Sequence, residues 1–280
     1  MNEMAPRDLT VADLRPGDLL MSMARTEFAK LIAWVGDTQY SHAAVVFSPD
    51  DLIEATPPKV RLFPLADRAD QGNRLHYLDV WRPTALHDRP LEPADLAALQ
   101  AAGRGFLGRD YATEMLPYIA VAGAIRTKTP ANPVICWILK RIVDYVMTDD
   151  ADTLICTELA YRVYGEGKYS RPDLLKPKLV WVPPLHPDPP DFDLVELLRE
   201  LRDLLGPASP IPAIPGEAAP AELEASYAGL RAKFGLPSME QGALPNRTVN
   251  PKTVILIDLQ FSPSFRAQGR LKLTQPLKTS

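Results

Sequence analysis

Ser41 to Ala55, SHAAVVFSPDDLIEA, reads as a β-hairpin that carries a histidine on one strand and a glutamate on the other. His42 to Phe47 is a short apolar run, Ser48, Pro49, Asp50 and Asp51 are turn formers, and Leu52 to Thr56 resumes an extended pattern. His42 and Glu54 lie an even number of positions apart, symmetrically about Ser48. A turn there sets the two side chains on one face, opposite each other and within hydrogen-bonding reach. A carboxylate that holds an imidazole in one tautomer is half of a nucleophilic site. The other half, a thiol or hydroxyl, has to come from elsewhere in the chain.

The stretch Thr153 to Tyr164, TLICTELAYRVY, supplies a thiol. A helix beginning near Ile155 puts Cys156 in its first turn, with Leu159, Ala160 and Val163 on the packed face. Unpaired N–H groups and the helix dipole at that end favour negative charge, so a thiol there is expected to ionise more easily than a free one. His42 placed beside it completes a thiolate and imidazolium pair, and the same N–H groups can hold an oxyanion. The plainer reading is that a lone cysteine on a helix is a core residue, since free cysteines are among the most buried side chains. Glu54 fits the plain reading less well, because a carboxylate between Leu52, Ile53 and Ala55 needs a partner. Cys136 reads as structural, and nothing singles out His76, His87 or His186.

The 280 residues, 46% hydrophobic and 24% charged, are enough for one large domain or one domain with an insertion. A net charge of -4 with scattered Lys and Arg gives no reason to expect nucleic-acid binding. Two cysteines and four histidines match no disulfide framework and no zinc spacing, which suits a reducing compartment. The N-terminal MNEMAPRDLTVADLRPGD lacks the basic start and apolar centre of a signal peptide. A cytoplasmic location as synthesised is expected, with export by a non-Sec route left open. The longest apolar run, Leu116 to Ile125, falls short of the roughly 20 residues that span a bilayer. Proline, at 29 residues, concentrates between Pro183 and Pro220.

In chain order, Leu14 to Met21 reads as a turn and short strand, and Thr26 as the N-cap of a helix through Val35 that Gly36 and Asp37 end. Leu75 to Val80 is a further strand, Pro93 to Gly103 a helix and Gly105 to Asp110 a loop. From Tyr111 to Asp149 two helical pieces are separated by a break at Pro130 to Pro133. Inward packing of the 116–147 segment is the plain expectation, with peripheral membrane or lipid contact as the sharper one. Farther on, Asp191 is expected to cap a helix with Leu194, Leu197, Leu198, Leu201 and Leu205 in a stripe ended by Gly206 and Pro207. Pro220 opens another, with Leu223, Tyr227, Leu230 and Phe234 on one face and Gly235 closing it. The pair suggests a helical hairpin laid on the core over 191–235, as a lid, a protein-partner site or padding.

The runs LRPGDLL, YSHAAVVF, LIEA and CTELAYRVY resemble the circularly permuted branch of the NlpC-type papain-like superfamily, the YaeF/YiiX permuted amidases. In unpermuted relatives the cysteine comes before the histidine strand; here it comes last. The resemblance covers roughly 14–60 and 104–165. It implies an α+β fold in which an antiparallel sheet packs on the cysteine helix, with helical insertions. The implied triad is Cys156 as nucleophile, His42 as general base and acid, and Glu54 as orienting group. Tyr111, in GRDYA, matches a family tyrosine near the oxyanion region, and Tyr40 is grouped with it as an oxyanion or substrate contact. VNPKTVILIDLQFSPSF is similar to a family C-terminal strand followed by an SP motif. The segment Met115 to Asp152 and the stretch Pro183 to Asn246 are longer than the family pattern.

The expected division is a core over 1–182, a Pro-rich helical insertion over 183–246, and a strand and tail over 247–280 that complete the core. The leading expectation is a thiol hydrolase that cleaves an amide bond in a peptide or lipid-amide substrate through an acyl-enzyme, with no metal or organic cofactor. Two alternatives remain: a lipid acyltransferase or (thio)esterase using the same triad, and a catalytically silent binding module.

Overall fold

The structure is a computed structural model that describes residues 7–110, 115–148, 154–186, 188–205, 216–236 and 249–274. It is an α+β fold built on one seven-stranded sheet. The strands are β1 (Asp8–Leu9), β2 (Leu19–Ala24), β3 (His42–Val46), β4 (Asp51–Thr56), β5 (Lys59–Pro64), β6 (Leu75–Pro83) and β7 (Phe265–Leu271). Their order is β1-β7-β6-β2-β3-β4-β5. The sheet is mixed rather than wholly antiparallel, because β1 runs parallel to β7 while the other pairs are antiparallel.

Both faces of the sheet are covered, and strand parity decides which residue meets which layer. Odd positions Leu19, Met21, Ala43, Val45, Ile53 and Ala55 join the large core. The helices on that side are α1 (Glu27–Val35), α4 (Leu116–Arg126), α5 (Pro133–Thr148), α6 (Cys156–Gly165) and α8 (Pro220–Phe234). Even positions Leu20, Ala44, Val46, Leu52, Leu78 and Val80 pack instead with Leu65 and Ala69 of α2 (Leu65–Ala69). Burial on both faces explains why β2 and β3 read as continuous apolar runs.

Local signals set the helix ends. Thr26 Oγ1 accepts from the Ala29 N–H at 3.0 Å, and Asn132 Oδ1 accepts from Val134 and Ile135 at 3.0 and 3.2 Å at the start of α5. Gly235, at φ 61, closes α8. α3 (Pro93–Arg104) also matches the sequence pattern. Nearly every side chain of α4 is buried, as are Ile135 to Leu139 of α5, so the apolar surface of 116–147 turns inward. The plain expectation of inward packing describes α4 and the first half of α5. Among the described residues no helix is long and apolar enough to cross a membrane.

Three further expectations are corrected. Asp193, not Asp191, caps α7 (Leu194–Leu205), its carboxylate accepting from the Glu196 N–H at 3.0 Å. α7 and α8 do not form a hairpin: α7 packs on α1, while α8 packs on α4 and α5. Glu200 of α7 accepts from the Phe28 N–H at 2.7 Å, so α7 helps to cap α1. Finally, VILIDLQ is not a strand. It forms α9 (Leu256–Gln260), with the Asp258 carboxylate accepting from the Ile255 N–H at 2.9 Å, and the strand follows the SP pair as β7. A run of four apolar residues cannot distinguish a buried strand from a buried helical turn, and the Asp258 cap selects the helix.

A buried ion cluster ties α1, α4 and residues 182–186 together. Asp37 takes Arg126 Nε on one oxygen and Lys128 Nζ on the other, both at 2.6 Å. Arg126 donates to the carbonyl of Val182 at 2.7 Å, and His186 N–H donates back to Asp37 at 3.1 Å. All three charged side chains are at most 4% exposed. Replacing Asp37 with Ala leaves two buried cations without their carboxylate. The expected loss, read from urea unfolding, is about 3–5 kcal/mol.

Candidate active site

The hairpin forms with His42 and Glu54 on one face, but its register is centred on Pro49 rather than Ser48. The paired positions are Val45 with Ile53 and Val46 with Leu52. Ser48 Oγ accepts from the N–H groups of Asp50 and Asp51 at 3.2 and 3.0 Å, which sets the turn. Moving the centre by one position keeps parity, so both side chains stay on the same face. His42 Nε2 meets Glu54 Oε2 at 3.1 Å, as a diagonal contact across the strands.

β3 and β4 are paired at those two positions alone, so the ladder has ended before it reaches His42. α6 approaches this open end from the opposite face, packing Leu159, Ala160 and Val163 against the odd residues of both strands. Cys156 is its first residue, with Ile155 as N-cap in extended conformation. The Cys156 thiol lies close enough to the His42 ring to act on its protonation. Nε2 is turned to Glu54. The residues singled out from sequence on β3, β4 and α6 are thus brought together at the split in the sheet.

Glu54 is held by more than histidine. Arg61, directly across the β4–β5 ladder, donates Nε and Nη2 to Oε1 at 3.1 and 3.0 Å. Arg68, on α2, donates Nη2 to Oε2. Neither arginine was singled out from sequence. Arg61 was within reach, because Glu54 and Arg61 are symmetric about the Pro57–Pro58 turn. Arg68 had no local signal, since its place depends on α2 covering the even-numbered face.

Burial alone would raise the Glu54 carboxyl. The hydrogen bond and charge of His42, with Arg68 and Arg61, outweigh it and lower the group to about 2. Burial likewise works against a charged His42, but hydrogen bonds to Cys156 and Glu54 and their negative charges raise it to about 9. The ring is about one-fifth exposed, whereas Cys156 has no exposed surface. Met115 covers the thiol, with Sδ 3.8 Å from Sγ, and stands in the left-handed region at φ 57. Thr157, the next residue, has its Oγ1 buried without a hydrogen-bond partner among the described residues.

Tyr40 is fully buried, and its hydroxyl donates to Asp79 Oδ2 at 2.8 Å and accepts from Gln39 Nε2 at 3.1 Å, which makes it part of a polar network on the sheet. Tyr111 lies outside the described residues. Cys136 is buried, its thiol donating to the Pro130 carbonyl at 2.9 Å. Among the described residues no group of three or more His, Cys, Asp or Glu side chains is placed to hold a metal ion.

No family model matches the chain, and no curated protein matches it. Among solved structures, the metalloprotein YiiX from Escherichia coli O157:H7 matches with a TM-score of 0.44 at 14% identity, over 92% of this chain and 98% of that one.

Two outcomes follow from this geometry. Met115→Ala is expected to speed iodoacetamide labelling of Cys156 several-fold, measured on a Cys136→Ser background. A raised imidazole binds its proton more tightly in the folded state, so its contribution to stability is complete below about 6.5 and fades as pH rises through about 9. The urea stabilities of wild type and His42→Gln should therefore converge across that window.

Proposed function

We propose that the chain is a thiol hydrolase that cleaves an amide bond in a peptide or lipid-amide substrate through an acyl-enzyme. The observation that carries the reading is the placement of Cys156, at the first position of a helix and near an imidazole whose Nε2 is held by a buried carboxylate. A lone buried cysteine would be unremarkable. A buried cysteine and glutamate with a partly exposed histidine, assembled from three separate elements, is the pattern of an activated nucleophile and its oriented base.

In this reading the Cys156 sulfur, as thiolate, attacks the carbonyl carbon and the carbonyl π electrons move to oxygen. N–H groups in the first turn of α6 face the developing oxyanion. Collapse of the tetrahedral intermediate breaks the C–N bond, and the His42 imidazolium gives its proton to the departing amine. Neutral His42 then takes a proton from water, whose oxygen attacks the thioester carbon. Sulfur leaves, and the acid product and the thiolate–imidazolium pair remain. Glu54 keeps its charge throughout and holds the ring in one tautomer.

One feature favours a second reading, acyl transfer or (thio)ester hydrolysis by the same three residues. Pro117, Val121, Val146, Ile155 and Phe234 form the apolar wall of a small cavity of about 40 Å³ that Glu158, Lys252 and Thr253 complete, and Ile155 is the N-cap of the cysteine helix. Its apolar wall suits a small acyl or aliphatic group.

Cys156→Ala is expected to abolish turnover with the near-UV spectrum and unfolding midpoint retained, while Cys136→Ser stays active. Turnover by Cys156→Ala would remove the nucleophile assignment. Because His42 must carry a proton to the leaving amine, kcat is expected to fall as pH passes about 9. Peptide amides and acyl esters of graded chain length separate the two readings.

A further inference from the structure

We infer that Arg61 and Arg68 are positioning residues, which fix the Glu54 carboxylate in the one orientation that serves His42. The inference rests on the hydrolase reading above and adds a second tier to that site.

Both carboxylate oxygens are fully engaged, and by different partners. Arg61 places a two-pronged donor on Oε1, at 3.1 and 3.0 Å, and a planar fork of this kind fixes the plane of the carboxylate as well as its position. Oε2 is thereby turned toward His42 Nε2 and Arg68 Nη2. Rotating the carboxylate would break all of these bonds inside a site where Glu54 is 1% exposed. The arginines are themselves supported. Both guanidiniums lie on the ring of Phe63, 4.6 and 4.8 Å from its centroid, and Arg68 Nη1 donates to Gln71 Oε1 at 2.9 Å.

Burial explains why two cations are present. A carboxylate inside a strand between Ile53 and Ala55, both fully buried, must be strongly stabilised to stay charged. One histidine that gives up its proton during turnover cannot do this alone. Arg61 and Arg68 hold the anion through the step in which His42 is neutral. The charged groups facing this carboxylate are His42 from β3, Arg61 from β5 and Arg68 from α2, with Cys156 of α6 across the imidazole. Because Arg68 shares Oε2 with His42, it also draws off part of the negative potential that would otherwise hold the imidazole proton.

The test is a titration of the His42 imidazole by NMR in the full-length protein, as wild type, Arg68→Gln and Arg68→Lys. Cys156 alkylation is followed across the same pH range. Arg68→Gln is expected to raise the His42 midpoint by about half a unit and to slow alkylation several-fold, with Arg68→Lys restoring the midpoint but only part of the rate. A merely structural arginine would lower the unfolding midpoint and leave the His42 midpoint in place, and that result overturns the inference. Should Arg68→Gln fail to fold, the half-exposed Arg61→Gln makes the same measurement, with a smaller upward shift expected. An unreactive thiol in the wild type would sink the hydrolase reading instead, and the imidazole midpoints would still decide whether the arginines act on His42.

Discussion

A buried carboxylate in the middle of a strand is the constraint on which the site depends. Glu54 is buried and lies between side chains of the apolar core. Removing such a charge from water costs several kcal/mol unless partners replace the lost hydration. Four N–H donors from three elements do so, and each of those elements is tied to the others through it. β3 contributes the imidazole, β5 the forked guanidinium and α2 the second one. The carboxylate thus organises the covering layer on one face of the sheet as well as the ring it orients.

The cysteine comes from the other face. Parity sends the odd residues of β3 and β4 into the core beneath α6 and the even ones toward α2, so an unbroken ladder would separate thiol and imidazole by the sheet itself. The ladder stops at Val45 and Ile53, and the N-terminus of α6 lies at the opening. A short hairpin ladder is therefore a geometric requirement of this arrangement. The sulfur needs a rigid helix end, the imidazole a strand end, and the two have to meet where backbone pairing no longer intervenes.

The additional helices thicken the support around this junction. α4, α5 and α8 pack together behind α6, and α7 closes on α1, where its Glu200 takes the place of a local cap for the Phe28 N–H. The Asp37 cluster secures residues 182–186 to the ends of α1 and α4. Apart from those between the neighbouring α4 and α5, these contacts join segments more than fifty residues apart in the chain. Their partners are defined by three-dimensional packing, which is why the α7 and α8 stripes were legible as amphipathic faces while their docking partners were not.

Local chemistry was readable directly. Turn formers at Ser48 to Asp51, the Thr26 cap, the asparagine and proline break before α5 and the placement of Cys156 at a helix start all depend on neighbours within about four residues. Parity placed His42 and Glu54 on one face even though the centre of the hairpin lies one residue from where the turn formers alone suggested, because a shift that preserves evenness preserves the face. Sequence by itself therefore determined an α+β chain with a histidine and a glutamate paired on a hairpin and a cysteine opening a helix. Tertiary structure alone decided that Arg68 reaches Glu54, that Tyr40 turns to Asp79, that VILIDLQ coils while the strand follows it, and that Met115 covers the thiol. Each of these depends on which distant surface fills a space or satisfies a charge, a competition among long-range partners that no local spacing encodes.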